Sequence, residues 1–284
     1  DPFFFVHTTL WAFLPWSLLL FAAIFQFIKK GSKNVQGHEW LCLCGSLLTF
    51  LVFSASKFQL PHYLNIVFPF FAIITAQYLY NLSTEKSIRV VRVTQIVVIS
   101  LIFTLIIALE YFFRPTVFNW LTGAIILILL VALGFLPKAI ATKPYYRVGF
   151  GTLLVSFILN VYMNLAFYPS LLYYQAGTEA ALWVNQNNKD KLPVVQSGDV
   201  PFAMEFYLDQ PLININVDGS GNLPPKPFLL SAQSDIISSL AAKGWKMQTL
   251  KTFDKYWVSR LKLAFLNKTT RGKAITQNQL VIVR

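Results

Sequence analysis

The sequence predicts an α-helical polytopic membrane protein, with about six transmembrane helices, followed by a small α/β soluble domain. Three observations carry that expectation. Of the 284 residues, 55% are hydrophobic and only 13% are charged, about half the charged share of a soluble domain. With 26 Phe, 7 Trp and a mean hydropathy of +0.54, the apolar surface exceeds what one core can hide, so lipid must solvate part of it. A single water-soluble globule is excluded. The charge is also unevenly spread: residues 1–168 hold 11 of the 24 Lys/Arg and 4 of the 12 Asp/Glu. Residues 1–168 therefore read as the membrane domain and 169–284 as the soluble one.

Long apolar runs place the helices near 9–28, 40–56, 63–80, 93–112, 117–136 and 148–167. None alternates as a barrel strand would, so helices are the solution that satisfies the backbone in lipid. The odd links carry Lys29, Lys30, Lys33, Lys86, Arg89, Arg92, Lys138, Lys143 and Arg147, whereas the even links carry only Lys57 and Arg114. By the positive-inside rule the odd links face the cytoplasm, which puts the Lys57 loop and everything after the sixth helix outside. The chain begins at Asp1-Pro2-Phe3 and enters an apolar run at once, with no basic flank or cleavage signal. It reads as a fragment, or as a chain whose start is missing.

After Tyr168 the pattern turns to alternating short elements. Helices are expected at Ala180–Gln186, Pro201–Leu208 and Ser234–Lys243, the last stopped by Gly244. Strands are expected at Leu192–Val195, Leu212–Val217, Phe228–Leu230, Lys246–Phe253 and Leu280–Val283. Residues 218–225 form a turn-rich loop, and the alternation as a whole indicates a small α/β domain.

Several chemistries lack their residues. Cys42 and Cys44 lie in an apolar run, and the polar half has no cysteine, so neither a disulfide framework nor a zinc site is legible. His7, His38 and His62 all precede the soluble half, leaving it no imidazole for a triad, and no phosphate-binding glycine loop follows a strand. Ser197-Gly198-Asp199 and Ser220-Gly221 read as turns. No metal site and no certain cofactor follow, although a divalent cation is left open.

The most informative stretch is Phe53-Ser54-Ala55-Ser56-Lys57-Phe58-Gln59-Leu60-Pro61-His62-Tyr63, followed by Val67-Phe68-Pro69. It gathers an ammonium, an imidazole and a phenol at the hydrocarbon boundary. Lys57 with His62 and Tyr63 can bind a lipid phosphate through charge and directional donors. Equally, Tyr63 can sit in the aromatic belt while Lys57 snorkels to the headgroups.

This wording, S-x-S-K-x-x-L-P-H-Y with F-P, resembles the bacterial protein-mannosyltransferase-like membrane glycosyltransferases (GT-C type), the family that includes the lipid A aminoarabinose transferases. Leu14-Pro15-Trp16, after Phe3-Phe4-Phe5, is similar to that family's L-P-W helix. The resemblance covers residues 1 to about 80 by motif and the later helices by hydropathy. It implies the carboxy-terminal part of an inner-membrane enzyme that transfers a sugar from a polyprenyl-phosphate carrier to a lipid, glycan or protein acceptor at the outer face. Lys57 and Tyr63 would touch the carrier's phosphate. Gln59 stands where such loops often hold a second basic residue, which shifts more of the phosphate binding onto Lys57.

The family's catalytic acid lies in a first outer loop that no segment here matches. In the membrane half the acids are Asp1, Glu39, Glu85 and Glu110, and only Asp1 and Glu110 fall on the outer side. Glu110 reads first as an i,i+4 partner of Arg114 and second as a general base. The chain by itself is therefore expected to insert without transferring sugar. Ten Lys/Arg against Asp254 alone between Lys243 and Arg284 read as a solvated basic face or one that meets anionic headgroups. Nucleic acid is not an expected partner. The rival class is a non-catalytic transport or ligand-binding membrane subunit; the mild mid-helix residues Ser46, Thr49, Ser100, Thr104 and Asn160 argue against an ion-coupled carrier.

Overall fold

The computed structural model describes residues 3–30, 39–140, 144–198 and 202–284. Asp1, Lys33, His38, Lys143, Asp199 and Pro201 lie outside them. The chain divides into two compact units, Asp1–Ile106 with Gly123–Val161, and Ile107–Thr122 with Tyr162–Arg284.

The first unit is helical. Its helices are α1 (Phe4–Ala12), α2 (Ser17–Lys30), α3 (Trp40–Ser54), α4 (Phe68–Tyr80), α5 (Glu85–Ala108), α6 (Trp120–Ile140) and α7 (Pro144–Tyr162). The single helix expected over 9–28 is thus two. Pro15 has no N–H to donate and its ring crowds the preceding turn, so the chain turns over 13–16, and Trp16 N donates to Phe13 O at 2.8 Å. The helix expected over 63–80 is likewise shortened, because Pro61–Ile66 forms a 3₁₀ turn ahead of α4. Conversely, α5 begins eight residues before its expected start at Val93. Lys and Arg are good helix formers, and Thr84 caps the new start, its Oγ1 accepting from Ser87 N at 3.2 Å.

Among the described residues, three helical stretches are long and apolar enough to cross a membrane: Glu85–Phe113, Trp120–Ile140 and Tyr146–Leu172. The first three expected spans are shorter helices, Ser17–Lys29, Trp40–Ser54 and Phe68–Tyr80. At about 1.5 Å per residue, the 15 residues of α3 fall short of a hydrocarbon core about 30 Å thick. Helix length thus supports three of the six expected spans.

Packing in this unit follows one-sided stripes. On α5, Val91, Gln95, Val98 and Ile102 are buried, a spacing of three and four residues that defines one face. Within the stripe the Gln95 side chain accepts from Thr152 Oγ1 at 3.3 Å and donates to Pro15 O at 3.4 Å. The break at Pro15 is therefore answered by a buried amide, as an apolar surround requires. Phe5, Leu20, Cys42, Leu43, Leu64, Val67 and Phe71 build the core around α1–α4.

The second unit starts with a π turn at Leu109–Phe113 that ends α5. It resumes at Tyr162 and passes through a second π turn, Met163–Phe167, into α8 (Tyr168–Leu172) and α9 (Ala176–Asn187). Then come β1 (Val194–Ser197), α10 (Phe202–Tyr207), β2 (Leu212–Ile215), β3 (Phe228–Gln233), α11 (Ser234–Ala242), β4 (Met247–Lys255), α12 (Leu263–Leu266) and β5 (Thr276–Val283). Among the described residues they form a mixed sheet ordered β2-β1-β3-β5-β4. Both neighbours of β1 run parallel to it, while β5 is antiparallel to β3 and β4. The register pairs Val195 with Leu230, and Leu230 with Val281.

Successive strand residues point to opposite faces, and both faces are covered. Val194, Leu229 and Leu280 pack beneath Ala180, Ala181 and Val184 of α9. Val195, Leu230 and Val281 face Ile236, Ile237 and Leu240 of α11. The alanines let α9 approach closely. A mixed α/β sheet with its helices is present, and each expected strand and helix lies within a few residues of its expected place, whereas α8 and α12 were not expected.

Candidate functional site

The loop after α3 is built by its own polar side chains. Ser56 Oγ accepts from Phe58 N at 3.2 Å, and Gln59 Nε2 donates to Ser54 O at 3.1 Å, closing the turn. Gln59 thus performs a structural task inside the loop. The Ser54 hydroxyl, buried at its foot, has no hydrogen-bond partner among the described residues.

The 3₁₀ turn then sorts the following side chains by threes, since residues i and i+3 eclipse at three per turn. Leu64 and Val67 fall on one face and are fully buried. His62 and Asn65 fall on another and are exposed. Tyr63 is half-buried, its ring 5.3 Å from that of Phe53 and 4.9 Å from the His62 imidazole. Lys57 is exposed, and among the described residues no hydrogen bond or ion pair holds its ammonium. The structure brings His62 and Tyr63 into contact and leaves Lys57 extended from the same loop.

Asn65 also lines an open apolar groove of about 590 Å³, together with Phe13, Trp16, Phe68, Pro69 and, on α4, Ala72, Thr75, Ala76 and Leu79. Its volume is that of a small-molecule cleft. Thr75 adds no free polarity, because its hydroxyl donates to Phe71 O at 2.7 Å. From Asn65 to Leu79 the groove follows roughly 20 Å of helix. The turn at Pro15 carries Trp16 to the groove, and small Ala72 and Ala76 leave it open. This groove was not legible in the sequence, although Trp16, Phe68 and Pro69, which line it, belong to motifs that were.

In the second unit, Glu110 departs from its expected pairing. Arg114 adopts a left-handed conformation (φ 51°) after the π turn and donates through Nε to Tyr111 O at 3.3 Å. Glu110 Oε2 instead accepts from the buried Tyr162 Oη at 3.2 Å. The wider π turn breaks the i,i+4 geometry that the expectation assumed.

Arg271 also departs, since it belongs to the basic stretch and yet is buried. Its guanidinium donates to Phe265 O at 3.0 Å, Tyr174 Oη at 3.0 Å and Phe113 O at 2.6 Å. It also lies 4.3 Å over the Phe113 ring. Counting charges along the chain could not single it out, because none of its partners is charged and two of them, Tyr174 Oη and Phe113 O, lie 97 and 158 positions away. Among the described residues, no group of three His, Cys, Asp or Glu side chains is placed to hold a metal ion.

A helical array with membrane-length helices, an apolar groove and a mixed α/β sheet defines a class of membrane protein that comparison with known proteins makes concrete. The chain superposes over its full length on the crystal structure of ArnT from Cupriavidus metallidurans in the apo state, with a TM-score of 0.58 at 14% identity, covering 52% of that chain. It does the same on ArnT from that organism bound to undecaprenyl phosphate, at 16% identity and a TM-score of 0.58. These likenesses show a fold shared with about half of the ArnT chain. An uncharacterized protein of Aquifex aeolicus (strain VF5) is 24% identical over 251 residues, which cover 88% of this chain and 45% of the relative. The chain spans about half the length of each of these proteins. No family model matches it.

Proposed function

We propose that this chain contributes the carrier-binding part of a polyprenyl-phosphate-dependent glycosyltransferase of the inner membrane. In this reading six helices cross the membrane and residues 169–284 lie on the periplasmic side. The sugar passes from the carrier to a lipid, glycan or protein acceptor at the outer face. The observation that carries the reading is the groove. Residues of two separate motifs, Trp16 on one side and Phe68 and Pro69 on the other, line one elongated apolar cleft, and its end at Asn65 shares a turn with His62 and Tyr63.

An isoprenoid chain suits such a cleft, being long, apolar and without hydrogen-bonding needs. Its phosphate would lie at the loop end. There Lys57 supplies charge, Tyr63 Oη donates, and His62 donates a ring N–H. During transfer the carrier phosphate departs with the bonding electron pair from the sugar's anomeric carbon, and a cation beside it stabilises the negative charge that develops. Likeness to a protein whose structure contains undecaprenyl phosphate supports this choice of carrier.

The experiment is to fill the groove. Ala72→Trp in the full-length protein should abolish binding of undecaprenyl phosphate and transfer from its radiolabelled glycosyl form, with the helical circular dichroism unchanged. Undiminished carrier binding in Ala72→Trp would overturn the proposal.

A further inference from the structure

The segment between β4 and α12 holds apolar side chains out into solvent, and it does so rigidly. Trp257 is 65% exposed and Leu263 85% exposed, with Leu261 exposed between them. Looseness does not account for this. Tyr256 Oη donates to Arg260 O at 2.8 Å and accepts from Lys262 N at 3.0 Å, bridging the turn from inside. The Tyr256 ring stacks on Phe265 at 3.7 Å with planes 7° apart, and Phe265 is itself fully buried. A staple with these contacts presents Trp257, Leu261 and Leu263 in a fixed direction.

The base of the staple is joined to the ends of two membrane-length stretches. Tyr256 N donates to Tyr174 O at 3.0 Å and Lys268 N to Phe112 O at 2.9 Å, while Arg271 bridges Phe113 O and Tyr174 Oη. Phe112 and Phe113 close the stretch Glu85–Phe113, and Tyr174 lies two residues beyond Tyr146–Leu172. Around these ends Tyr111, Phe112 and Tyr173 are exposed too, the distribution of an interfacial aromatic belt. The exposed cations Arg260, Lys262 and Lys268 flank the apolar tip, the Arg260 guanidinium lying 4.7 Å over the Trp257 ring. No acid follows Asp254 in the chain.

We infer that Tyr256–Lys268 is a membrane-docking element, which inserts Trp257, Leu261 and Leu263 into the interfacial layer and sets Arg260, Lys262 and Lys268 against anionic lipid headgroups. The indole and the leucines find there the apolar phase they lack in water. The cations find the negative surface potential. The element thereby fixes the height of the mixed sheet over the bilayer. This inference does not depend on the transferase reading.

The test uses the whole chain in nanodiscs, with Cys42→Ser and Cys44→Ser as background and a nitroxide label at Leu263→Cys, Leu261→Cys or the exposed strand position Gln248→Cys. The ratio of oxygen to nickel-chelate accessibility should be several-fold higher at 263 and 261 than at 248. Equal, water-like ratios at all three sites would overturn insertion. Dipolar broadening at 263 that grows with the number of copies per disc would also overturn it, in favour of a second copy as the occupant. The charge component is read separately: neutralising Arg260, Lys262 and Lys268 to Gln should make label 263 shallower in phosphatidylglycerol discs and leave it unchanged in phosphatidylcholine discs. An unchanged depth in both would overturn the headgroup contact.

Discussion

Lys57 and Tyr63 would act on one phosphate through unequal interactions. Lys57→Ala removes a charge-assisted contact of about 1.5–3 kcal/mol, so carrier affinity should fall roughly 10- to 100-fold. Tyr63→Phe removes a neutral bond of about 1 kcal/mol and should fall less. Equilibrium binding of undecaprenyl phosphate checks the order, and wild-type affinity in Lys57→Ala would instead assign that side chain to membrane anchoring. Arg271 calls for a different measurement. Arg271→Met strands Phe113 O and Phe265 O without their donor, and should lower the unfolding free energy of the second unit by about 2–4 kcal/mol, seen as an earlier thermal transition. Acid sensitivity should have a local origin at Asp218, whose carboxylate accepts from Ser220 Oγ at 2.6 Å and Ser220 N at 2.9 Å. These bonds hold its pKa below the ordinary 3.8. Because the folded value is the lower, the stabilisation is fully present above 3.8 and is lost as pH falls through the folded value. Asp218→Asn should therefore flatten the acid limb of the melting-temperature profile.

Elements differ in how much of themselves they reveal locally. α11 and the strands of the sheet were legible because short apolar alternations and Gly244, with φ at 90°, punctuate them. The division of the first helix at Pro15 and the early start of α5 were not, since an apolar run gives hydropathy without giving backbone path. At Pro15 the broken element depends on Gln95, which is fully buried. Gln95→Leu would leave Pro15 O unpaired in an apolar surround, a loss of about 1–3 kcal/mol measurable as lowered thermal stability in detergent. Gly219 sets a second test of element geometry. It lies at φ 87°, and an added Cβ would stand 2.8 Å from Leu240 Cδ2 and 3.0 Å from Trp245 Cζ2. Gly219→Ala should destabilise the sheet domain through both strain and crowding, again read as a lower melting temperature.

For the whole molecule, charge order is the strongest available constraint on topology. With odd links inside, Gln59→Cys and Ser220→Cys should react with an impermeant thiol reagent added outside intact cells, and Ser83→Cys should not. Labelling of Ser83→Cys from outside would reject the arrangement.

Apolar content and the short alternating elements after Tyr168 sufficed for a helical part followed by an α/β part, because each is a sum over neighbours along the chain. The loop of Lys57, His62 and Tyr63 was visible on the same ground, as its members are neighbours in sequence. Other features depend on residues far apart. The groove joins Trp16 to Leu79, the amide of Gln95 meets Pro15 and Thr152, and Arg271 reaches Phe113 across 158 positions. Local pattern could not foresee these, because burial of a polar group is stable only when a remote partner arrives to satisfy it. Only the folded chain decides which partner that is.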